Sequence, residues 1–146
     1  MKKIFSLIFL TFILFYSPAI VAQEHGGQED AGKVIKQPTS QEIRDAMKDY
    51  VVEKSKKSGM FEIMDPATGK MRYLELEKVH ERVGKTGNYF YSCADFNDTK
   101  SGQLLDLDLD VEHKNGKLNV VDVRIHKVAG KSRYTYDKDD NRIPVK

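Results

Sequence analysis

The stretch at residues 104–117, LLDLDLDVEHKNGK, leaves the chain little freedom in how it folds. Leu105, Leu107, Leu109 and Val111 alternate with Asp106, Asp108, Asp110 and Glu112. A period of two sends the apolar set to one face of a strand and the carboxylates to the other, whereas a helix would scatter both sets around its axis. Asn115-Gly116 then supplies a two-residue turn in which both positions favour positive φ. The segment KLNVVDVRIHKV must return antiparallel to the first strand.

The turn sets the register. Lys114 falls opposite Lys117, and Val111 opposite Val120. Continued strictly, this would set Leu109 against Asp122, an acid on the apolar face. A bulge at Val120-Val121 removes the fault. Leu109 then faces Val123 and Leu107 faces Ile125. On the other face Asp108 meets Arg124, and Asp106 meets His126. The carboxylate row reads as the solvated face of the strand, with cross-strand pairs worth about 0.2–1 kcal/mol each. Calcium does not suit the row, because the ion needs six or more converging oxygens and carboxylates two apart on a strand diverge. One corner differs. Asp110 falls opposite Asp122 with Glu112 nearby, and facing like charges destabilise a sheet. A lysine, a basic partner or a cation must answer them, so Asp110, Asp122 and Glu112 are candidate metal ligands.

Upstream, TSQEIRDAMKDYVVEKSKKSG reads as a helix. Thr39 and Glu42 have the spacing of a capping box. Ile43, Ala46, Met47, Tyr50 and Val51 form one apolar stripe. Lys54, Lys56 and Lys57 suit the negative end of the dipole, and Gly59 supplies a left-handed stop. The remaining chain reads as strands broken by turns: MFEIMD, MRYLELEKVHERV with a change of phase near Lys78, YFYSCADF, the hairpin above, SRYTYD, and a short last strand in the tail. GKTGN reads as a loop. One helix before about five antiparallel strands makes an α+β fold, with the helix lying across a curved meander. That order of elements resembles the cystatin-like and NTF2-like architectures. The Q-x-V-x-G loop of the cysteine-protease inhibitors is absent. An NTF2-like pocket enzyme would need a cavity between helix and sheet, lined by residues such as His80, Asp95 or Tyr91.

The amino terminus directs the chain out of the cytoplasm. Lys2 and Lys3 precede an apolar run from Ile4 to Tyr16, with Ser17-Pro18 and the small residues Ala19 and Ala22 after it. This is the layout of a secretory signal peptide, too short for a membrane span and without a lipid-anchor cysteine. The expected organisation is a signal peptide at 1–22, a flexible tether at 23–38 and a single domain at 39–146, in a periplasmic or secreted protein. Of 24 basic residues, two lie in the signal, leaving 22 against 22 acids. A neutral mature chain gives no electrostatic case for nucleic acid.

Cys93 is the only cysteine, so no internal disulfide holds the fold together. Cleavage after Ala22 would expose Gln23-Glu24-His25, whose free amine, amides and imidazole suit square-planar Cu(II) or Ni(II). His25 is thus a second metal candidate. Tyr89 and Tyr91 share one strand face, and Tyr134 and Tyr136 another. These four could form an aromatic platform for a ligand, or fill a layer between sheet and helix. No nucleophile elbow, zinc-protease motif, phosphate loop or dinucleotide fingerprint appears, and no cofactor is implied. The chain reads as a non-enzymatic module that binds a protein or an envelope component, with its sheet edges open to strand addition. The alternatives are a metal-binding protein and the pocket enzyme.

Overall fold

The computed structural model describes residues 36–145. The signal-type segment, most of the tether and His25 lie outside the described residues. Helix α1 (Ser40–Ser55) begins with the expected capping box: Thr39 Oγ1 accepts from the Glu42 amide, and Glu42 accepts from the Thr39 amide. Gly59, at φ +80°, turns the chain and donates back to the Ser55 carbonyl. No described helix is long and apolar enough to cross a membrane.

Among the described residues nine strands follow: β1 (Phe61–Asp65), β2 (Lys70–Val79), β3 (Gly84–Thr86), β4 (Tyr89–Asp98), β5 (Leu104–Lys114), β6 (Lys117–Val128), β7 (Lys131–Ser132), β8 (Tyr134–Tyr136) and β9 (Arg142–Pro144). The main sheet is antiparallel in the order β1-β2-β4-β5-β6-β7, and β3 continues the edge of β4 beyond β2. β8 and β9 form a separate hairpin. The fold is therefore α+β, one helix against a curled antiparallel meander, with more strands than the five expected. GKTGN is a strand and a tight turn rather than a loop. A side chain on Gly84 would run into the ring of Tyr91, its partner across the ladder, so this strand needs a glycine there.

The ambiguous segment after Gly69 is a strand. Its ladder with β4 shifts between Leu76 and Lys78, which returns Leu76 and Val79 to the same face. The β5–β6 hairpin follows the expected register from Lys114↔Lys117 through the bulge at Val121 to Leu107↔Ile125. A second bulge at His126 then sets Asp106 opposite Lys127, not His126, and Leu105 opposite Val128. The spacing Ile125–Val128 carried that signal, since two core residues three apart on a strand require an extra residue between them.

The core lies between α1 and the concave face of the sheet. Ile43, Met47 and Val51 pack on Phe61, Leu74, Phe96, Leu105, Leu107 and Leu109, all at most 4% exposed. Burying a side chain of this size stabilises by about 1.5–3 kcal/mol. The curl brings the two ends of the sheet together. Arg133, just beyond β7, reaches Asp65 of β1 at 2.7 Å. Arg72 bridges Asp65 and Asp98 at 3.0 Å each, closing a buried network.

Candidate functional site

Behind the sheet, away from the helix, the carboxylate row is dry. Asp108 is 0% exposed, and Asp106 and Asp110 are each 7% exposed. This overturns the solvated face expected from the alternation. The cover is the β8–β9 hairpin, which brings Tyr134, Tyr136 and Arg142 over β5. Its turn is tied down at Asp140, whose carbonyl accepts from Thr86 Oγ1 at 2.9 Å and whose carboxylate meets Arg82 at 3.1 Å.

Asp108 sits at the centre. Its Oδ2 accepts from the hydroxyls of both Tyr134 and Tyr136. Its Oδ1 accepts from the Cys93 thiol at 2.8 Å, across the β4–β5 ladder. Burial and then the Asp108 charge push the Cys93 thiol well above its ordinary pKa. The same two causes, with the hydrogen bond to Asp108, raise both tyrosines. These groups keep their protons at neutral pH, and Asp108 gains donors in place of water. His126, thrown out of the ladder by its bulge, completes the cluster. Its Nδ1 lies 3.8 Å from both Asp106 and Asp108, and 4.0 Å from Cys93 Sγ. Asp106 Oδ2 accepts from Lys127 at 2.9 Å, while its Oδ1 is buried with no partner among the described residues.

The Asp110–Asp122 corner is answered by arginine. Arg124 bridges Asp110 and Asp122, and Arg142 of β9 donates to both oxygens of Asp110, at 2.8 and 2.9 Å. Glu112 pairs in the ladder with Asn119 and Tyr89, one step along the strand. The expected opposition Asp110↔Asp122 is present; a guanidinium, rather than a lysine, relieves it.

The tyrosines occupy the covered back of the sheet and not the layer beneath the helix. Tyr91 stacks on Tyr136 with centroids 5.0 Å apart, and Tyr134 stacks on the His126 ring at 4.7 Å. Tyr91 is buried, while Tyr89 stands at the rim, 42% exposed. As a group they are an internal layer in which Tyr134 and Tyr136 serve Asp108, and only Tyr89 offers an open face. His80 and Asp95 meet at 3.0 Å on this same back face. Neither they nor Tyr91 line a space beneath the helix, where the packed core lies.

A second feature is an open cleft of about 670 Å³ on the helix side. Its walls are Phe61, Glu62 and Ile63 of β1 and Val121, Asp122 and Val123 of β6, with Tyr50, Lys54 and Lys57 at the end of α1. Among the described residues, β1 pairs only with β2, and the Val120–Arg124 part of β6 only with β5. Two unpaired strand edges thus face one opening. Val121, the bulged residue, stands 49% exposed there. Lys54 and Lys57 make no ion pair among the described residues. No family model, no curated protein and no solved structure matches this chain.

Proposed function

We propose that this chain is a small exported, non-enzymatic module that binds an extended segment of a partner protein in the cleft between β1 and β6. The observation that carries the reading is the pair of unpaired strand edges flanking one opening. An edge offers a row of backbone donors and acceptors to an added strand, and natural proteins normally cover or charge such an edge. The floor supplies apolar contact through Phe61, Ile63 and Val123. Lys54 and Lys57 outweigh Glu62 at the rim, because Asp122 is held by Arg124. The occupant is therefore an extended peptide in which apolar residues alternate with acids. The signal-type amino terminus is the reason to place the partner in the cell envelope or outside it.

Selection from a library of extended peptides tests this. Selected binders should alternate apolar and acidic residues. They should lose binding when alternate amides are N-methylated, and weaken on Val121→Asp or Lys57→Glu. Binding that is indifferent to N-methylation and to both substitutions refutes strand addition in this cleft.

A further inference from the structure

The ligand atoms of the cluster beneath the β8–β9 hairpin are spaced for an ion. We propose that Cys93, Asp106, Asp108 and His126 bind one divalent transition-metal ion of the zinc type. This site is independent of the peptide cleft.

The first argument is the donor set. One ligand atom from each of the four residues can be chosen so that all lie within 4.8 Å of one another. A tetrahedral zinc site with bonds of about 2.0–2.3 Å has ligand–ligand edges of roughly 3.3–3.8 Å. His126 Nδ1 stands 3.8 Å from Asp106, 3.8 Å from Asp108 and 4.0 Å from Cys93 Sγ. These distances are too long for hydrogen bonds to the carboxylates and close to ligand edges. The Cys93–Asp108 separation of 2.8 Å is shorter because a thiol proton bridges it. Loss of that proton to solvent on binding gives the thiolate a metal needs and lets the two atoms part.

The second argument is the imidazole. Its Nε2 is 3.0 Å from the Tyr134 carbonyl oxygen, which can only accept, so Nε2 carries the proton. In the neutral imidazole this tautomer leaves the Nδ1 lone pair facing the cluster. His126 is 8% exposed, so no water shell serves the lone pair, and the single Cys93 proton is already given to Asp108. A buried acceptor without a donor is costly in a folded protein. Metal-bound histidines show the same arrangement, with the outer N–H on a backbone carbonyl fixing the tautomer.

Charge and surroundings agree. Without an ion, two carboxylates face the one ammonium of Lys127. With a dication and the thiolate, three anions balance the ion and the ammonium. Tyr134 and Tyr136 hold the outer oxygen of Asp108, leaving the inner one for the ion. Four protein donors, three buried and Cys93 half-buried, describe a structural site rather than a catalytic one. Its effect would be to clamp the hairpin, which supplies both tyrosines and the Tyr134 carbonyl.

The test is cobalt titration of the full, untagged chain after removal of metal by a chelator. A thiolate-to-cobalt charge-transfer absorption should rise to saturation at one equivalent and disappear on adding Zn²⁺. Cys93→Ser should abolish it. His126→Gln should weaken binding by about 100-fold or more, beyond the effect of losing an outer-shell partner, and Tyr136→Phe by about tenfold. Glu112→Gln should leave it unchanged. Absence of the absorption from folded wild-type protein overturns the proposal whatever the variants do. So does an absorption that survives Cys93→Ser.

Discussion

The strongest demand the structure makes is that a fully buried carboxylate be held by two phenols. Tyr136→Phe removes one of the two hydroxyls donating to Asp108 Oδ2 and changes nothing else in size or shape. A hydrogen bond to a charged group contributes about 1.5–3 kcal/mol, and one between neutral groups about 0.5–1.5 kcal/mol. At 0% exposure Asp108 has no water to replace the lost donor, so the larger range applies. Tyr136→Phe should therefore cost about 2 kcal/mol. In an Asp108→Asn background the same change should cost about 1 kcal/mol, giving a coupling near 1 kcal/mol. The assay is urea unfolding at pH 7 with a chelator present, so that no bound ion contributes. With a slope of roughly 1–1.5 kcal/mol/M, the wild-type to Tyr136→Phe midpoint should fall by about 1–2 M. Tyr134→Phe should behave alike. A cost below about 0.5 kcal/mol for both variants, with no coupling to Asp108, would mean that water reaches the carboxylate. The hairpin would then not be seated as described.

Three further outcomes follow from the same geometry. Cys93 should react with a disulfide reagent at pH 8 at least about 100-fold more slowly in the native chain than in urea, because burial and Asp108 hold the thiol protonated. A thiol whose pKa rises on folding contributes stability that is full below the unfolded value near 8.5 and is lost as pH climbs above it. Urea midpoints should fall between about pH 8.5 and 10 in the wild type and stay flat over that range in Cys93→Ser, since Tyr134 and Tyr136 add their own loss only above about pH 10. Asp65 behaves in the opposite sense. Its hydrogen bond from Arg133, then those from Arg72, hold its carboxyl well below the usual range. Its contribution is present above the unfolded value near 3.9 and is lost as pH falls. Asp65→Asn should cost about 3 kcal/mol at pH 7, because Arg133 loses its carboxylate while Arg72 keeps Asp98, and should make the acid limb of the stability profile shallower. Gly84→Ala should cost about 1–3 kcal/mol in the same unfolding assay by displacing the Tyr91 ring from Tyr136. A cost under about 0.5 kcal/mol would show that the ring has room to move.

Much of the ladder was legible because a packed face cannot tolerate a residue of the wrong kind. Strict pairing would have put Asp122 against Leu109, so a bulge at Val121 was required, and it is there. The same reasoning applied to Ile125 and Val128 would have given the bulge at His126. Asp106 and His126 hide it, because they already make a plausible pair on the outer face. The helix was legible from its capping box and stripe, since both are local.

The candidate metal centre was not legible, for a different reason. Alternation assigns a side chain to a face, and it is silent about what covers that face. Asp106, Asp108 and Asp110 look the same in sequence whether water or a hairpin lies over them. The cover comes from Tyr134, Tyr136 and Arg142, more than twenty residues downstream in a segment with no apolar period of its own. What that segment did carry was complementary chemistry: two phenols and a guanidinium, the donors that an acidic row needs once it is dry. A row of acids facing an arginine–histidine strand, followed by a tyrosine-rich tail, is thus a statement about three layers rather than two. Burial turns its members from solubilising charges into a tightly held constellation. Asp110 is satisfied there by arginine and Asp108 by tyrosine and thiol. Among the described residues Asp106 Oδ1 has no donor, and His126 Nδ1 has only the Cys93 thiol, at 4.0 Å. Beside Asp110 the unpartnered groups are instead donors, the Nε–H of Arg124 and of Arg142, so the lone pairs that a cation would match are confined to the Cys93 end of the layer.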